Sequence, residues 1–340
     1  MLVAAPLGAV AFTLLVTSLL VAWAGAPVGR AYALLLEGGF GSRFAITETL
    51  TRATPLILTG LAAAVAFRAR LYNIGAEGQL YAGAIAAVAV GGLHGGVGFE
   101  AAPWLLFPLM VAAAMAAGAL LLLGPALMKR LGVDEVVTTL LLNFIVLLAV
   151  SALLDGPMKD PSAMGWPQSV ALQDALQLDR LIKRSRVHTG LLAALGLAVA
   201  LWALLKFTTT GFEIRAVGAN ARAAAFAGMP VGWVTVKVAL LSGALAGLAG
   251  AVEVAGRAHY VTLDMSPGYG YSGIVIAMLA MLHPLSVVAA AVFVAGILVG
   301  ADSMSRAIGV PTYIADVIVS VSLIAMLVAT MLTQYRVRWR

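Results

Sequence analysis

The chain has 340 residues, 62% of them hydrophobic and only 11% charged, with a mean hydropathy of +1.02 and a net charge of +6. A soluble domain runs near half apolar and a quarter charged, so neither a water-soluble fold nor a disordered chain fits. With no cysteine, disulfides, thiolate metal sites and cysteine nucleophiles are excluded; the four histidines (His94, His188, His259, His283) show no metal-ligand spacing. The positive charge reads as loop contact with lipid headgroups rather than as nucleic-acid binding.

The apolar residues fall in long blocks, each able to cross a bilayer core that takes about 20 helical residues. The first, 6–26, has no basic stretch before it and reads as a retained span. A polar stretch with Arg30, Glu37 and Arg43 follows, then spans at 50–67 (with Pro55), 71–92, 102–128 and 136–154. A polar loop at 155–188 precedes a sixth span at 189–207 and a second polar segment at 208–230. Four more spans are expected at 231–255, 269–282 (short, so tilted or broken), 284–301 and 312–332. The blocks are too long and too uniform for barrel strands, so the fold class is all-α, with about ten transmembrane helices. An even number puts both termini on one side, and the basic, aromatic tail at 334–340 suits the cytoplasmic face. Charge counting does not decide the orientation, because that topology leaves ten basic residues on each side. No internal repeat is convincing.

The chain carries no GxSxG, P-loop or dinucleotide fingerprint, so any ATP that drives it is bound elsewhere. The third span is unusual. Asn73, Glu77 and Gln79 are polar, and Gly75 and Gly78 weaken the helix around them. Such groups at membrane depth line a path or a broken helix; an interfacial turn at headgroup level is the other reading, and the residues alone leave both open. In the seventh span Gly243, Gly247 and Gly250 have the small-residue spacing of close helix packing. Glu253 and Arg257, four apart, suit an ion pair, with Glu253 a lesser candidate for the path. Asn143 and Asp316 are lone polar residues that suit interhelical hydrogen bonds. In GFEIRAVGANARAAAFAGMP (211–230), Asn220 can cap a helix of about two turns that Gly228 and Pro230 end, with Phe226 its one bulky apolar side chain. That short helix suits a partner's groove or the lipid surface.

Five stretches carry a resemblance: TPLILTGLAAAVAFRARLYNIGAEGQLYAGA (54–84), GVDEVVTTLLLNFI (132–145), GFEIRAVGANARAAAFAGM (211–229), SPGYGYSGIVIAMLAMLHPL (266–285) and the GADSM…GVP run (300–311). Together they resemble the permease subunits of ABC importers in the nucleoside and simple-sugar uptake branch, within the binding-protein-dependent transport system inner membrane component family. The resemblance covers most of the chain from about residue 50. It implies one permease domain over 1–340 in a bacterial cytoplasmic membrane, with an extracytoplasmic loop at 155–188 and a cytoplasmic coupling segment at 211–230. It implies no cofactor in this chain, ATP and Mg being held by a cytoplasmic ATPase partner. A second permease, expected to be a different chain, and an extracytoplasmic solute-binding protein complete the assembly, and the solute would be a purine-type nucleoside or a simple sugar. On this reading Asn73, Glu77, Gln79, Asn143 and Glu253 shape the path. Glu213, Arg215, Asn220, Arg222, Phe226 and Gly228 form the ATPase contact. The rival expectation is an ion-coupled secondary transporter using Glu77, Glu253 and Asp316.

Overall fold

A computed structural model describes residues 4–92, 101–309, 311–314, 316–321, 324, 325 and 328. His94, the basic tail at 334–340 and part of the expected span at 312–332 lie outside the described residues. Among the described residues the chain is helical, with no strand and three isolated antiparallel bridges (Gly92 with Leu172, Lys159 with Ser169, Arg180 with His188). Among the described residues six helices are long and apolar enough to cross a membrane, seven if one bent pair counts as a span.

The residues divide into two compact units, 1–53 with 292–340, and 54–291. In the first, α1 (Ala4–Trp23) turns at Gly25 and Pro27 into α2 (Val28–Phe40). The bend is 113°. The polar stretch expected around Arg30 and Glu37 is therefore helical: Tyr32, Leu34, Leu35 and Leu36 supply an apolar face, and Ala31, Leu35 and Gly39 are buried. The start of α3 (Arg43–Arg68) and the end of α12 (Pro284–Ile308) also belong here, joined by an Arg52–Asp302 ion pair.

The second unit is built on α3 from Thr54 onward, α4 (Ala76–Gly91), α5 (Pro103–Met128), α6 (Glu135–Asp155), α7 (Gly190–Phe207) and α10 (Val231–Glu253). Gly243 and Gly247 of α10 bring their backbone onto Gly118 and Ala114 of α5, and Gly250 sits against the Leu80 carbonyl of α4; a Cβ at any of the three would collide with backbone. Without a hydrophobic drive between helices in lipid, such close approach is a main source of association. α5, α6 and α7 leave most of their apolar surface exposed, whereas α10 is largely buried. α10 is therefore the centre of this unit, and the outward faces of α5–α7 are left for lipid. The eleventh helix, α11 (Tyr269–Leu279), is too short to span alone.

The polar segment at 208–230 holds two helices where one was expected. α8 (Thr209–Ala219) precedes α9 (Ala221–Phe226), and Asn220 between them is extended. Thr208 caps the first, accepting from the Gly211 N–H at 3.0 Å. Asn220 caps the second, accepting from the Ala223 N–H at 3.0 Å. The 155–188 loop and α9 are attached at opposite ends of α7 and α10.

Candidate functional site

The site begins where α3 stops. From Ala69 to Gly75 the chain is not helical, and Arg70 takes a left-handed φ of 55°. Backbone groups so exposed need partners in a low-dielectric interior. One face of α6 supplies them, through Glu135, Thr139 and Asn143 spaced four apart. Glu135 Oε1 accepts from the Tyr72 N–H at a long 3.5 Å, and Thr139 Oγ1 from the Ile74 N–H at 3.2 Å. Asn143 Oδ1 accepts from the Gly78 N–H at 2.8 Å; its Nδ2 donates to the Ile74 carbonyl at 2.9 Å and to the Tyr271 hydroxyl at 3.1 Å. Lys129 braces the same turn, donating to the Arg70 carbonyl at 2.6 Å and pairing with Glu135.

The other polar residues of this stretch point to different helices. Asn73 and Gln79 join amide to amide through two 2.9 Å bonds. Asn73 also donates to Ser242 of α10 at 3.1 Å, and Ser242 donates to the Ala62 carbonyl of α3 at 2.7 Å. Glu77 turns the other way: its Oε2 accepts from the Gly270 N–H at 2.6 Å. That is the amino end of α11, where Ser266 Oγ accepts from the Tyr269 N–H at 2.9 Å and the Glu77 carboxyl takes the next N–H, which the N-cap Gly268 has no side chain to meet. Tyr81 donates to the Leu263 carbonyl and accepts from the Ser266 N–H at 3.2 Å, fixing the loop before α11. Asn73, Glu77, Gln79 and Asn143 are all buried and engaged with protein, so in this conformation they form a knot linking α3, α4, α6, α10 and α11. Glu253 lies far along α10, paired with Arg257, and is not brought to this cluster. Sequence reasoning missed Glu135, Thr139, Ser242 and Tyr271. The four-residue spacing of Glu135, Thr139 and Asn143 was the readable signal for a polar face on α6.

The second half of the site is α8 and α9. Phe226 is 96% exposed, Arg222 is exposed, and Gly228 closes the turn with φ 82°. α8 is fixed to three spans. Arg215 donates to the Leu205 carbonyl at the end of α7, and Glu213 pairs with Lys237 of α10 at 3.3 Å. Gly218 sits against the Arg68 carbonyl, so close that a Cβ would overlap it, and beside Ala69. The exposed helix is thus attached, through α8, to the residues immediately before the break in front of α4.

Comparison with known proteins decides the identity. The branched-chain amino acid transport system / permease component family matches residues 45–327. The guanosine ABC transporter permease protein NupP of Bacillus subtilis is 36% identical over 320 residues, covering 93% of this chain and 90% of that protein. This chain belongs to that permease family. The permease is also 37% identical over 318 residues to the glucose ABC transporter permease protein TsgB13 of Haloferax volcanii, covering 90% of this chain and 82% of that one. A further relative, the guanosine ABC transporter permease protein NupQ of Bacillus subtilis, is 31% identical over 255 residues, covering 73% of this chain and 78% of its own. The permease is a multi-pass membrane subunit of an ABC importer in the nucleoside and sugar branch, and its relatives are transporter subunits rather than enzymes.

Proposed function

We propose that this permease moves a purine-type nucleoside inward across a bacterial cytoplasmic membrane, with a simple sugar as the alternative solute. An extracytoplasmic binding protein delivers the solute, and a separate cytoplasmic ATPase, holding ATP and Mg, drives the cycle. NupP, named for guanosine, aligns with nearly the whole chain, and TsgB13, named for glucose, keeps the sugar alternative open. Two guanosine permeases from one organism, NupP and NupQ, both match, which favours a working pair made of two different chains. We further propose about ten transmembrane helices in one permease domain over 1–340, both termini cytoplasmic, 211–230 cytoplasmic and 155–188 on the far side.

The observation that carries this reading is the seat of Gly218 on the Arg68–Ala69 backbone. A push on α9 by the ATPase, with Phe226 as the apolar anchor and Arg222 beside it, moves α8. Because α8 bears directly on the last turn of α3, the displacement reaches the non-helical 69–75 segment first. That segment is held by side-chain hydrogen bonds to α6 and α10 rather than by a continuous helix, so it can exchange partners without unwinding a span. Asn73, Glu77, Gln79 and Asn143 gate the path as those bonds break and re-form. Glu253, at the other end of α10, shapes the outer part of the path.

In proteoliposomes holding the permease with its partners, guanosine uptake requires ATP, survives an ionophore, and is competed by excess inosine more than by ribose or glucose. Uptake that persists without ATP and collapses with the ionophore overturns the proposal; competition by sugar alone overturns only the solute. For topology, single cysteines at Ala163 and Ala219 in this cysteine-free chain label from opposite sides, and same-side labelling overturns the arrangement.

A further inference from the structure

Two tyrosine hydroxyls serve the elements around α11, and they differ. That of Tyr81 is used in both directions, donating to the Leu263 carbonyl and accepting from the Ser266 N–H, and its ring is buried. That of Tyr271 is used in one direction only. Asn143 Oδ1 takes the Gly78 N–H and its Nδ2 gives to the Ile74 carbonyl, so the backbone fixes which end of the amide is which. The end that meets Tyr271 is the donor, at 3.1 Å. The Tyr271 oxygen is therefore the acceptor, and its own O–H has no acceptor among the described residues. Its ring is 37% exposed.

The depth of this hydroxyl follows from its partner. α6 has 21 residues, about 31 Å at 1.5 Å per residue, against a hydrocarbon core of about 30 Å. Asn143 stands a little over two turns from its start, about 12 Å along the axis. Tyrosines on spanning helices collect at the two interfaces, where the hydroxyl meets water. A spare donor held well inside the core is costly against acyl chains, which offer it no acceptor, and is tolerated where it faces a polar cavity. The rest of the same face of α11 is apolar and part-exposed: Ile274, Val275 and Met278 follow at the three-, four- and seven-residue spacings that share one side of a helix.

We propose that Tyr271 contacts the transported nucleoside, its ring lying on the flat face of the base and its O–H donating to a base carbonyl oxygen or ring nitrogen. The assignment rests on the function proposed above and names the residue that reads the solute. An apolar face carrying one oriented polar group is the usual make-up of a small-molecule site, and a nucleobase offers the matching surface: a π face with acceptors on its edge. Asn143 joins the Tyr271 hydroxyl to Ile74 and Gly78. A solute on Tyr271 is thus one hydrogen bond away from the non-helical segment in front of α4.

The test uses the permease assembled with its partners. Because the chain has no cysteine, Tyr271→Cys is a unique reporter, read by mass spectrometry after a water-soluble methanethiosulfonate. A thiol in lipid stays protonated and inert, so position 271 labels about tenfold faster or more than Phe144→Cys, the position beside Asn143 on the lipid-facing side of α6. Free guanosine at millimolar concentration, without binding protein, slows the labelling, and ribose does not. Labelling as slow as at 144 means that lipid or the second permease covers the ring, and overturns the proposal. So does labelling that guanosine leaves unchanged, or that ribose slows equally. In uptake at sub-saturating guanosine, Tyr271→Phe keeps the ring and loses the O–H, raising KM about fivefold with the maximal rate less affected. Tyr271→Leu also loses the ring and costs roughly a further tenfold. ATP-driven uptake with wild-type KM in both variants overturns the assignment and leaves the proposed function standing. Wild-type uptake that needs no ATP counts against that function alone, because protection is measured without ATP. Should Tyr271→Leu not fold, Tyr271→Phe and the labelling decide.

Discussion

In front of α4, polar side chains are turned inward onto one another and onto bare backbone; on α9, an aromatic ring stands almost wholly in the open. Only α8 separates the two regions. The first is a lock, in which each residue is held by a partner from another helix. The second is a handle, held at its base and exposed at its tip. A buried polar network is stable only while every member is satisfied, so its residues act on stability and motion together. An exposed apolar side chain adds almost nothing to the fold, so its effect appears only when a partner is present.

Substitutions can break that contrast or sharpen it. The largest effect is expected at the junction. Gly218→Val drives a side chain into the Arg68 carbonyl, destabilises the permease by about 3 kcal/mol or more, and abolishes uptake; thermal unfolding in detergent checks the first and a transport assay the second. A stable, active variant would dissolve the link between lock and handle.

An effect of similar size comes from acid at the loop end. His188 is buried between Gly190 and Gly256 with neither ring nitrogen hydrogen-bonded. Burial, together with neighbouring His259 and Arg257, pushes it from the ordinary 6.5 down to about 4. The unfolded chain therefore binds this proton more readily than the folded one, and stability falls as pH drops from 6.5 towards 4, by up to about 3 kcal/mol. Melting temperatures measured across that range should decline, and His188→Gln should flatten the decline.

Within the lock, Asn143→Leu leaves the Gly78 N–H and the Ile74 carbonyl without their partner, at a cost of about 2–3 kcal/mol. Chemical denaturation should show the loss, and Asn143→Gln should not restore it, since a longer side chain cannot place the amide on the same groups. The Glu213–Lys237 pair is part-exposed, so Lys237→Met should change stability by only about 0.5 kcal/mol by the same measurement. The smallest effect on the fold is at the handle. Phe226→Asp should leave the melting temperature unchanged yet abolish co-purification of the ATPase and uptake. Recovery of the ATPase at wild-type yield would remove Phe226 from the contact.

The sequence made the long spans readable because their signal is bulk hydropathy. α5, α6, α7 and α10 fall within a few residues of the expected blocks. The cap at Asn220 was readable too, since an asparagine before ARAAAF has a local mechanism. What escaped was decided by contacts. α2 is helical although Arg30 and Glu37 make its sequence look like a loop, and α8 is helical although its glycines weaken it. Those glycines are there for neighbours: Gly211 lies on the end of α7 and Gly218 on the end of α3. The polar residues of the third span were readable as unusual. Their partners were not, because Ser242 and Gly270 lie far along the chain and nothing in their own surroundings marks them.

The seat of α8 on α3 has one more consequence. What Gly218 touches is the Arg68 carbonyl and the Ala69 Cα, atoms that every residue type possesses. The contact therefore does not depend on the side chain of residue 68 or 69, while position 218 tolerates no added carbon. The linkage is written in main chain on one side and in the absence of a side chain on the other, so a search for coupled side-chain pairs would pass over it.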